Sequence, residues 1–171
     1  MKTPTYDQWL NERVEPLAQR ELEELLGSAF IHGSHAPKAL ALLGDGPCGR
    51  TTLVNLLTEA VGRDSVQFCG APTPTTPKLA SDGLVGTRKA VVALFRSGDP
   101  TPRTRVGVRS RPLIVIECQS DFDAPPAAWM HTARITLNRI THTDPSVLSH
   151  LHAELPGIVA RWVSAFADSQ R

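Results

Sequence analysis

The segment that most constrains this chain is a glycine-rich turn, which reads Gly-Asp-Gly-Pro-Cys-Gly-Arg-Thr over residues 44–51. An apolar run at 38–43 precedes it and predicts a short buried strand, and residues 52–61 predict a helix. Strand, glycine loop and helix in this order form the context of the phosphate-binding motif G-x-x-x-x-G-K-[ST]. The chain fits that motif at every fixed position except the lysine, which is Arg50.

Each part of this loop has a predicted role in holding phosphate. Glycines let backbone N–H groups turn toward the anion, and the helix N-terminus adds partial positive charge. Thr51 offers a hydroxyl to Mg²⁺. Arg50 carries a wide planar guanidinium where the motif has a compact ammonium, which predicts a site that binds a nucleotide and hydrolyses it badly. The predicted nucleotide-binding residues here are Gly44, Asp45, Gly46, Cys48, Gly49, Arg50, Thr51 and Thr52. The alternative is a tight strand-to-helix turn without a ligand.

Bulk composition limits the class of protein. A chain of 171 residues is long enough for one domain with a sizeable core. No apolar run approaches the length of a membrane span, and the first residues lack the apolar stretch of a signal peptide. The three cysteines lie far apart, which argues against a disulfide framework or a zinc site. We therefore expect a cytoplasmic protein that makes no membrane contact.

The remaining patterns alternate between helix and strand. Pro16 suits the first turn of a helix and Gly27 suits its end. Alternation around a glycine loop predicts an α/β fold with three layers and a parallel sheet. We expect one compact unit with a helical lead-in at 1–36, a core at 37–142 and C-terminal helices at 143–171. The predicted helices are 6–13, 16–26, 52–61, 145–154 and 156–168, and the predicted strands are 38–43, 66–69, 89–95, 113–117 and 135–140.

Four arginines alternate with other residues around Gly107, namely Arg103, Arg105, Arg109 and Arg111. In an extended strand they share one face, and in a hairpin turning at Gly107 they crowd together. Crowded like charges are unfavourable unless an anion meets them. The sugar-phosphate backbone of DNA, contacted without sequence preference, is one candidate. A charged edge hairpin that discourages aggregation is the other, and the pattern alone favours neither.

Several separate segments, in order along the chain, resemble the superfamily 3 helicase domain of phage and plasmid primase-helicases, a branch of the AAA+ ATPases. The resemblance runs from about Gln8 to Phe166. It implies a P-loop NTPase fold that binds ATP and Mg²⁺ between subunits of a homo-oligomer such as a hexameric ring, with the arginine hairpin on DNA, inside a bacterial host cell. The segments are the glycine loop, VGTRKAVVA at 85–93, SGDP at 97–100 followed by Arg103, the arginine segment, LIVIECQ at 113–119, and ELPGI at 154–158 with Trp162.

The departures from that family concern catalysis. The strand at 90–95 ends in Leu-Phe where the family places its catalytic acid, and the sensor 1 asparagine is replaced by Cys118 or Gln119. The trans-acting arginines are replaced by Trp-Met-His at 129–131, with Arg134 three residues later. Glu117 and Asp99 are conceivable substitutes for the missing acid. We favour a strand-end role for Glu117 and a turn-capping role for Asp99, because the resemblance places Glu117 at sensor 1.

Two functions remain open at this point. The first is a DNA-binding P-loop protein that resembles a replicative helicase and binds ATP between subunits with weak or absent hydrolysis. Its candidate catalytic residues are Arg50, Glu117, Asp99 and Arg134, with Gln119 as a further nucleotide contact. The second is a catalytically inactive AAA+-like ring protein that binds DNA or serves a regulatory or structural role.

Overall fold

The computed structural model describes residues 2–31, 39–68, 84–85, 92–96, 103–104, 113–118, 132–140 and 144–171. Within these ranges the chain forms helices and mostly short strands. They are α1 (Pro4–Arg13), α2 (Pro16–Ser28), β1 (Ala39–Leu43), α3 (Arg50–Val61), a 3-10 turn (Arg63–Ser65), β2 (Val66–Phe68), β3 (Leu84–Val85), β4 (Val92–Arg96), β5 (Arg103–Thr104), β6 (Leu113–Cys118), β7 (Thr132–Thr136) and α4 (Ser146–Ser169).

Five of the strands form one sheet in the order β2–β4–β6–β1–β7, and every neighbouring pair is parallel. All residues of β1 are buried, and β6 is buried except at Glu117. Burial of both faces is typical of strands at the centre of an α/β sheet. The predicted α/β fold with a parallel sheet is therefore confirmed. β3 and β5 form a separate parallel pair.

The N-terminal helices pack on α4 through an aromatic cluster. Tyr6, Trp9 and Trp162 are buried, and the Trp162 indole N–H donates a 2.8 Å hydrogen bond to the Tyr6 hydroxyl. The Tyr6 ring stacks on Trp9 and meets Trp162 edge to face. Buried aromatic rings contribute large apolar area, and the hydrogen bond satisfies the polar atoms that this burial would otherwise leave unpaired. Across the described ranges, no helix combines the length and the apolar character that crossing a membrane requires.

Charged side chains add a second tie between the same helices. The Arg161 guanidinium pairs with Asp7, and its Nε lies 2.7 Å from the Glu23 carboxylate. Desolvation raises the pKa of Glu23, and the attraction to Arg161 only partly opposes that shift. About two turns earlier on α4, the Glu154 carboxylate accepts 3.0 Å hydrogen bonds from the backbone N–H groups of Thr5 and Tyr6. It thereby caps the start of α1, where helical N–H groups have no internal partner.

The C-terminal region is one helix, and the prediction of two helices separated at Pro156 was wrong. Proline in a helix interior removes a hydrogen bond and costs about 3 kcal/mol. The buried residues Leu151, Ile158 and Trp162 lie on both sides of Pro156 and share the face that packs on the core. Each large buried apolar side chain contributes about 1.5–3 kcal/mol, so continuous packing outweighs the lost bond.

The last strand was also predicted too far along the chain, at 135–140. β7 ends at Thr136, and the chain then leaves the sheet. Leu137 forms an isolated antiparallel bridge with Val14, and the Asn138 N–H donates to the Arg13 carbonyl at 2.8 Å. Residues 137–140, termed here the post-β7 segment, therefore follow the connection between α1 and α2.

Gly27 was predicted to end α2, but it lies inside the helix, which continues to Ser28. A Cβ atom at Gly27 would lie 2.0 Å from the carbonyl oxygen of Trp162 and 2.6 Å from its carbonyl carbon. Because these neighbours are backbone atoms, a rotamer change cannot relieve such a contact. Gly27 therefore allows α2 and α4 to touch at the level of their backbones.

We expect Gly27→Ala to destabilise the protein by at least about 2 kcal/mol, since overpacking against backbone forces the two helices apart. Helix propensity alone would favour alanine by about 1 kcal/mol, so the sign of the effect is diagnostic. Urea denaturation checks it, with Glu21→Ala on the exposed face of α2 as the control. A Gly27→Ala protein at least as stable as wild type would contradict this packing.

Candidate phosphate-binding site

The glycine loop leaves the carboxyl end of β1, between two parallel neighbours. Leu43 is the register partner of both Cys118 and Thr136, so the carboxyl ends of β1, β6 and β7 are level. From β1 the chain continues through α3 toward β2, whereas from β6 it continues to β7 on the opposite side. Ligands of open α/β sheets bind at such a reversal of direction, outside the carboxyl ends of the strands.

Glycine is required at three positions of the loop. Gly46 and Gly49 have φ angles of +58° and +95°, and Gly49 is the N-cap of α3. These angles lie in the left-handed region that side chains with a Cβ rarely adopt. At Gly44 a Cβ would approach the Cys48 sulfur to 2.5 Å and the Leu137 carbonyl oxygen to 2.9 Å. The sequence pattern of the motif is thus matched by its backbone geometry.

Part of the loop is exposed to solvent, and its backbone N–H groups lack acceptors in the described structure. Asp45, Gly46 and Pro47 are exposed, while Cys48 is buried beneath them. The first N–H of this region that donates within the described structure is that of Leu53, which bonds the Gly49 carbonyl at 3.0 Å. The N–H groups of residues 48–52 have no backbone acceptor among the described residues, as expected at a helix start. They are available to an anion.

Two separate parts of the chain hold the loop in place. The Trp9 ring of α1 lies 3.1 Å from the position a Cβ would take on Gly49. On the other side, the Leu137 N–H donates to the Leu43 carbonyl at 2.7 Å, and the Ile140 N–H donates to the Pro47 carbonyl at 2.8 Å. The loop is therefore fixed by contacts at both of its ends.

Arg50, the residue that replaces the motif's lysine, is the first residue of α3 and is half-buried. Its Nη1 donates a hydrogen bond to the carbonyl oxygen of Cys118, the last residue of β6. The guanidinium thus ties the start of α3 to the carboxyl end of the neighbouring strand. An arginine has five donors, so this bond leaves others on the same group.

Arg139 is a second cation at the loop, and the sequence patterns did not point to it. Its Nε lies 3.8 Å from where a Cβ would stand on Gly46, and the side chain is exposed. The predicted strand at 135–140 placed this residue inside the sheet. A predicted strand ending at Thr136 would have placed Arg139 just beyond the carboxyl end of that strand. The loop lies at the same edge of the sheet, because the carboxyl ends of neighbouring parallel strands meet there.

The hydroxyl and carboxyl groups predicted to bind the nucleotide, and in the case of Thr51 also Mg²⁺, are distributed around the loop. Thr51 is exposed in the first turn of α3, Thr52 is half-buried, and Asp45 is exposed at the second position of the loop. Among the described residues, no three His, Cys, Asp or Glu side chains come together as a metal-binding group. Thr51 therefore stays a predicted ligand that would need partners from the nucleotide and water, as Mg²⁺ commonly has.

Glu117 is half-buried near the end of β6, beside the loop strand, where its register partners are Leu42 and Arg96. This position is compatible with the strand-end role favoured above and close in the sheet to the loop. β4, the next strand along, ends in Phe95 and Arg96, without an acid. The other predicted residues on this edge, Asp99 and Gln119, lie outside the described residues.

The predicted arginines are only partly described. Arg134 is exposed on β7 and is the register partner of Ala41. Arg103 begins β5, where it is the register partner of Leu84. Arg105, Arg109 and Arg111 lie outside the described residues, so the arginine hairpin stays a prediction.

A surface pocket of about 510 Å³ lies elsewhere, between the start of α1 and α4. Two of its lining residues, Asp7 and Arg161, pair with each other, and no residue of the glycine loop lines it. We therefore place the candidate site at the loop and not in this pocket. The lining residues are Lys2, Thr3, Pro4, Asp7, Gly157, Ala160 and Arg161.

Comparison with known proteins adds a distant likeness. No protein-family model matches the chain, and neither does any curated protein. A solved structure described as a "putative ATPase" from Cytophaga hutchinsonii is similar at a TM-score of 0.39 and 14% identity, over 96% of this chain and 61% of that one. The chain therefore spans less than two thirds of that protein. The geometry of the glycine loop, and not this likeness, supports a phosphate-binding site.

Replacing Arg50 by methionine tests its contact with β6. Methionine keeps an unbranched side chain that suits a helix but cannot donate to the Cys118 carbonyl. We expect a loss of about 1 kcal/mol in the free energy of unfolding, the usual contribution of one hydrogen bond. Arg63→Met, at an exposed arginine after α3, is the matched control in urea denaturation. Equal stability of the two variants would contradict the contact.

Proposed function

We propose that residues 44–52 bind the phosphate chain of a nucleoside triphosphate, ATP with Mg²⁺. The observation that carries this proposal is the exposed glycine loop, whose backbone donors are available where the carboxyl end of β1 meets the start of α3. Such donors, together with the partial positive charge of a helix start, favour phosphate groups. Gly44, Gly46 and Gly49 maintain the conformation that exposes these donors.

We further propose that hydrolysis is weak or absent. Phosphoryl transfer requires an acid that holds Mg²⁺ and a group that orients the attacking water. β4 ends without an acid, and Glu117 of β6 is the nearest carboxylate of the sheet along the register of β1. Arg50 is engaged with the Cys118 carbonyl, whereas the motif's lysine is a mobile point charge on phosphate.

A more specific proposal than nucleotide binding is that the chain is an AAA+-like protein of the superfamily 3 helicase type, which binds ATP between subunits of a ring. The order of the sequence segments supports it, and the glycine loop, residues 113–118 and residues 154–158 with Trp162 lie within the described part of the chain. Arg134, exposed on β7, is the candidate for an arginine that reaches a neighbouring subunit. The alternative proposal is an inactive ring protein with a regulatory or structural role, and the missing acid on β4 favours it.

DNA binding is proposed from the arginine segment. Alternating arginines at 103–111 give a dense positive charge that an anionic polymer would neutralise. Contacts of this kind go to phosphates and carry no sequence information, so binding without sequence preference follows.

Titration calorimetry with MgATP tests the nucleotide site, and the chain offers a matched pair of glycines. Gly49→Ala strains a φ of +95° inside the loop and approaches the Trp9 ring, whereas Gly62→Ala strains a φ of +82° where no atom lies within 4 Å. We expect each to cost about 1–3 kcal/mol of stability. Only Gly49→Ala should weaken MgATP binding, by at least about tenfold, as for the loss of one strong hydrogen bond.

Two outcomes would contradict the proposal, one in this titration and one in an ATPase assay with and without single-stranded DNA. Absence of MgATP binding by wild type would exclude the nucleotide site. Robust DNA-stimulated ATP turnover that disappears in Arg50→Ala would exclude the inactive form and favour a working motor. A gain of turnover in Arg50→Lys would indicate that the arginine is what limits the site. Mass measurement on the same samples reports whether a ring assembles.

For DNA, we expect wild type to bind a fluorescent single-stranded oligonucleotide with a steep salt dependence. Each phosphate contact contributes about 0.7 to the slope of log K against log salt, so replacing all four arginines by serine should reduce its magnitude by about 3. The four are Arg103, Arg105, Arg109 and Arg111, and the control replaces the exposed Arg63 and Arg171. An unchanged slope in the four-fold variant would exclude the hairpin as the DNA contact.

A further inference from the structure

Arg139 is held beside the glycine loop by backbone hydrogen bonds of the residues around it. Its two flanking contacts are the hydrogen bonds from the Leu137 N–H to the Leu43 carbonyl, at 2.7 Å, and from the Ile140 N–H to the Pro47 carbonyl, at 2.8 Å. One bond reaches the residue before the loop and the other reaches its middle. The Cα of Arg139 therefore has a defined position relative to the loop.

The side chain of Arg139 lies against the exposed part of the loop. Its Nε is 3.8 Å from the position that a Cβ would take on Gly46, so the side chain lies close to that glycine. No ion pair or hydrogen bond joins the Arg139 guanidinium to another described residue, although Asp45 is next to Gly46 in the chain. The guanidinium is thus a cation whose donors are not committed within the described structure.

Arg50 contrasts with Arg139 in this respect. Arg50 donates to the Cys118 carbonyl and so points toward β6, whereas Arg139 lies close to Gly46 in the exposed part of the loop. Arg50 occupies the position of the motif's lysine, and one of its donors is therefore used in a hydrogen bond within the protein. A second cation is available from the post-β7 segment.

We propose that Arg139 contacts the phosphate chain of the bound nucleotide and supplies part of the charge that the motif's lysine would provide. This inference rests on the proposed function, since it assigns a further residue to the same site. A guanidinium presents a planar fork of donors that matches two phosphate oxygens at once. The ligand class is accordingly a polyphosphate, and the nucleoside part is not what Arg139 recognises.

Binding of MgATP and of magnesium tripolyphosphate tests whether Arg139 contacts the phosphate chain or the nucleoside. We would titrate MgATP and magnesium tripolyphosphate into wild type, Arg139→Ala, Arg139→Lys and the control Arg63→Ala, and follow thermal unfolding of each protein by circular dichroism. Arg139→Ala should lower the affinity for both ligands by the same factor, about tenfold, which is the effect of one charge-assisted pair at a solvated site. Arg139→Lys should retain most of the affinity, because it keeps the charge, and Arg63→Ala should match wild type.

The failures are distinguishable. If wild type binds both ligands and Arg139→Ala binds them equally well, the inference is wrong and the proposed function stands. If Arg139→Ala weakens MgATP but not tripolyphosphate, Arg139 contacts the nucleoside and the inference is wrong in its ligand class. If wild type binds neither ligand, the proposed function fails and the inference fails with it.

Discussion

The parallel register around β1 is the constraint on which the candidate site depends. Leu43 is level with Cys118 on one side and with Thr136 on the other, so whatever follows these residues meets at one edge. A shift of one residue in β1 would turn its side chains to the opposite face of the sheet and displace the loop. Since β1 is buried on both faces, such a shift would place its alternating alanine and leucine side chains where residues of the other size pack, and this fixes the register.

The loop itself gains rigidity from elements that are distant in sequence. Trp9 of α1 closes on Gly49, and the post-β7 segment bonds to Leu43 and Pro47. α1 is in turn anchored on α4 by the Trp162–Tyr6 hydrogen bond and capped by Glu154. Burial raises the pKa of Glu154, but its hydrogen bonds to Tyr6 and Thr5 outweigh this and the net pKa is lowered, so the cap is fully ionised near neutral pH. The aromatic core thus supports the glycine loop through α1.

Local patterns predicted the elements whose signals are local. α2 follows from its proline start, α1 and α3 were predicted within two residues of their observed bounds, and the loop follows from its glycines. The errors concern positions where distant segments decide. Pro156 was predicted to break a helix, but Leu151 and Trp162 on either side of it share one packed face. Gly27 was predicted to end a helix, but the backbone of Trp162 packs against it. Arg139 was predicted to lie in a strand, but the chain there turns to bond with Pro47. Strands of two residues, such as β3, are too short to show a period at all.

The two arginines at the loop bear on affinity and rate in different ways under the proposed function. A guanidinium stays charged at any pH at which a protein folds, so the loop attracts phosphate permanently. Only an interaction that strengthens in the transition state accelerates the chemical step, and one that acts equally on bound substrate only tightens binding. Arg50, whose donor is engaged by the Cys118 carbonyl, is less free to follow the charge that moves onto the departing phosphate. On the proposal that Arg139, which is exposed near Gly46, contacts the phosphate chain, it would do so before and after cleavage alike. Such a pair favours retention of the nucleotide over its turnover, because both cations contribute to ground-state binding and neither is placed to respond to the developing charge.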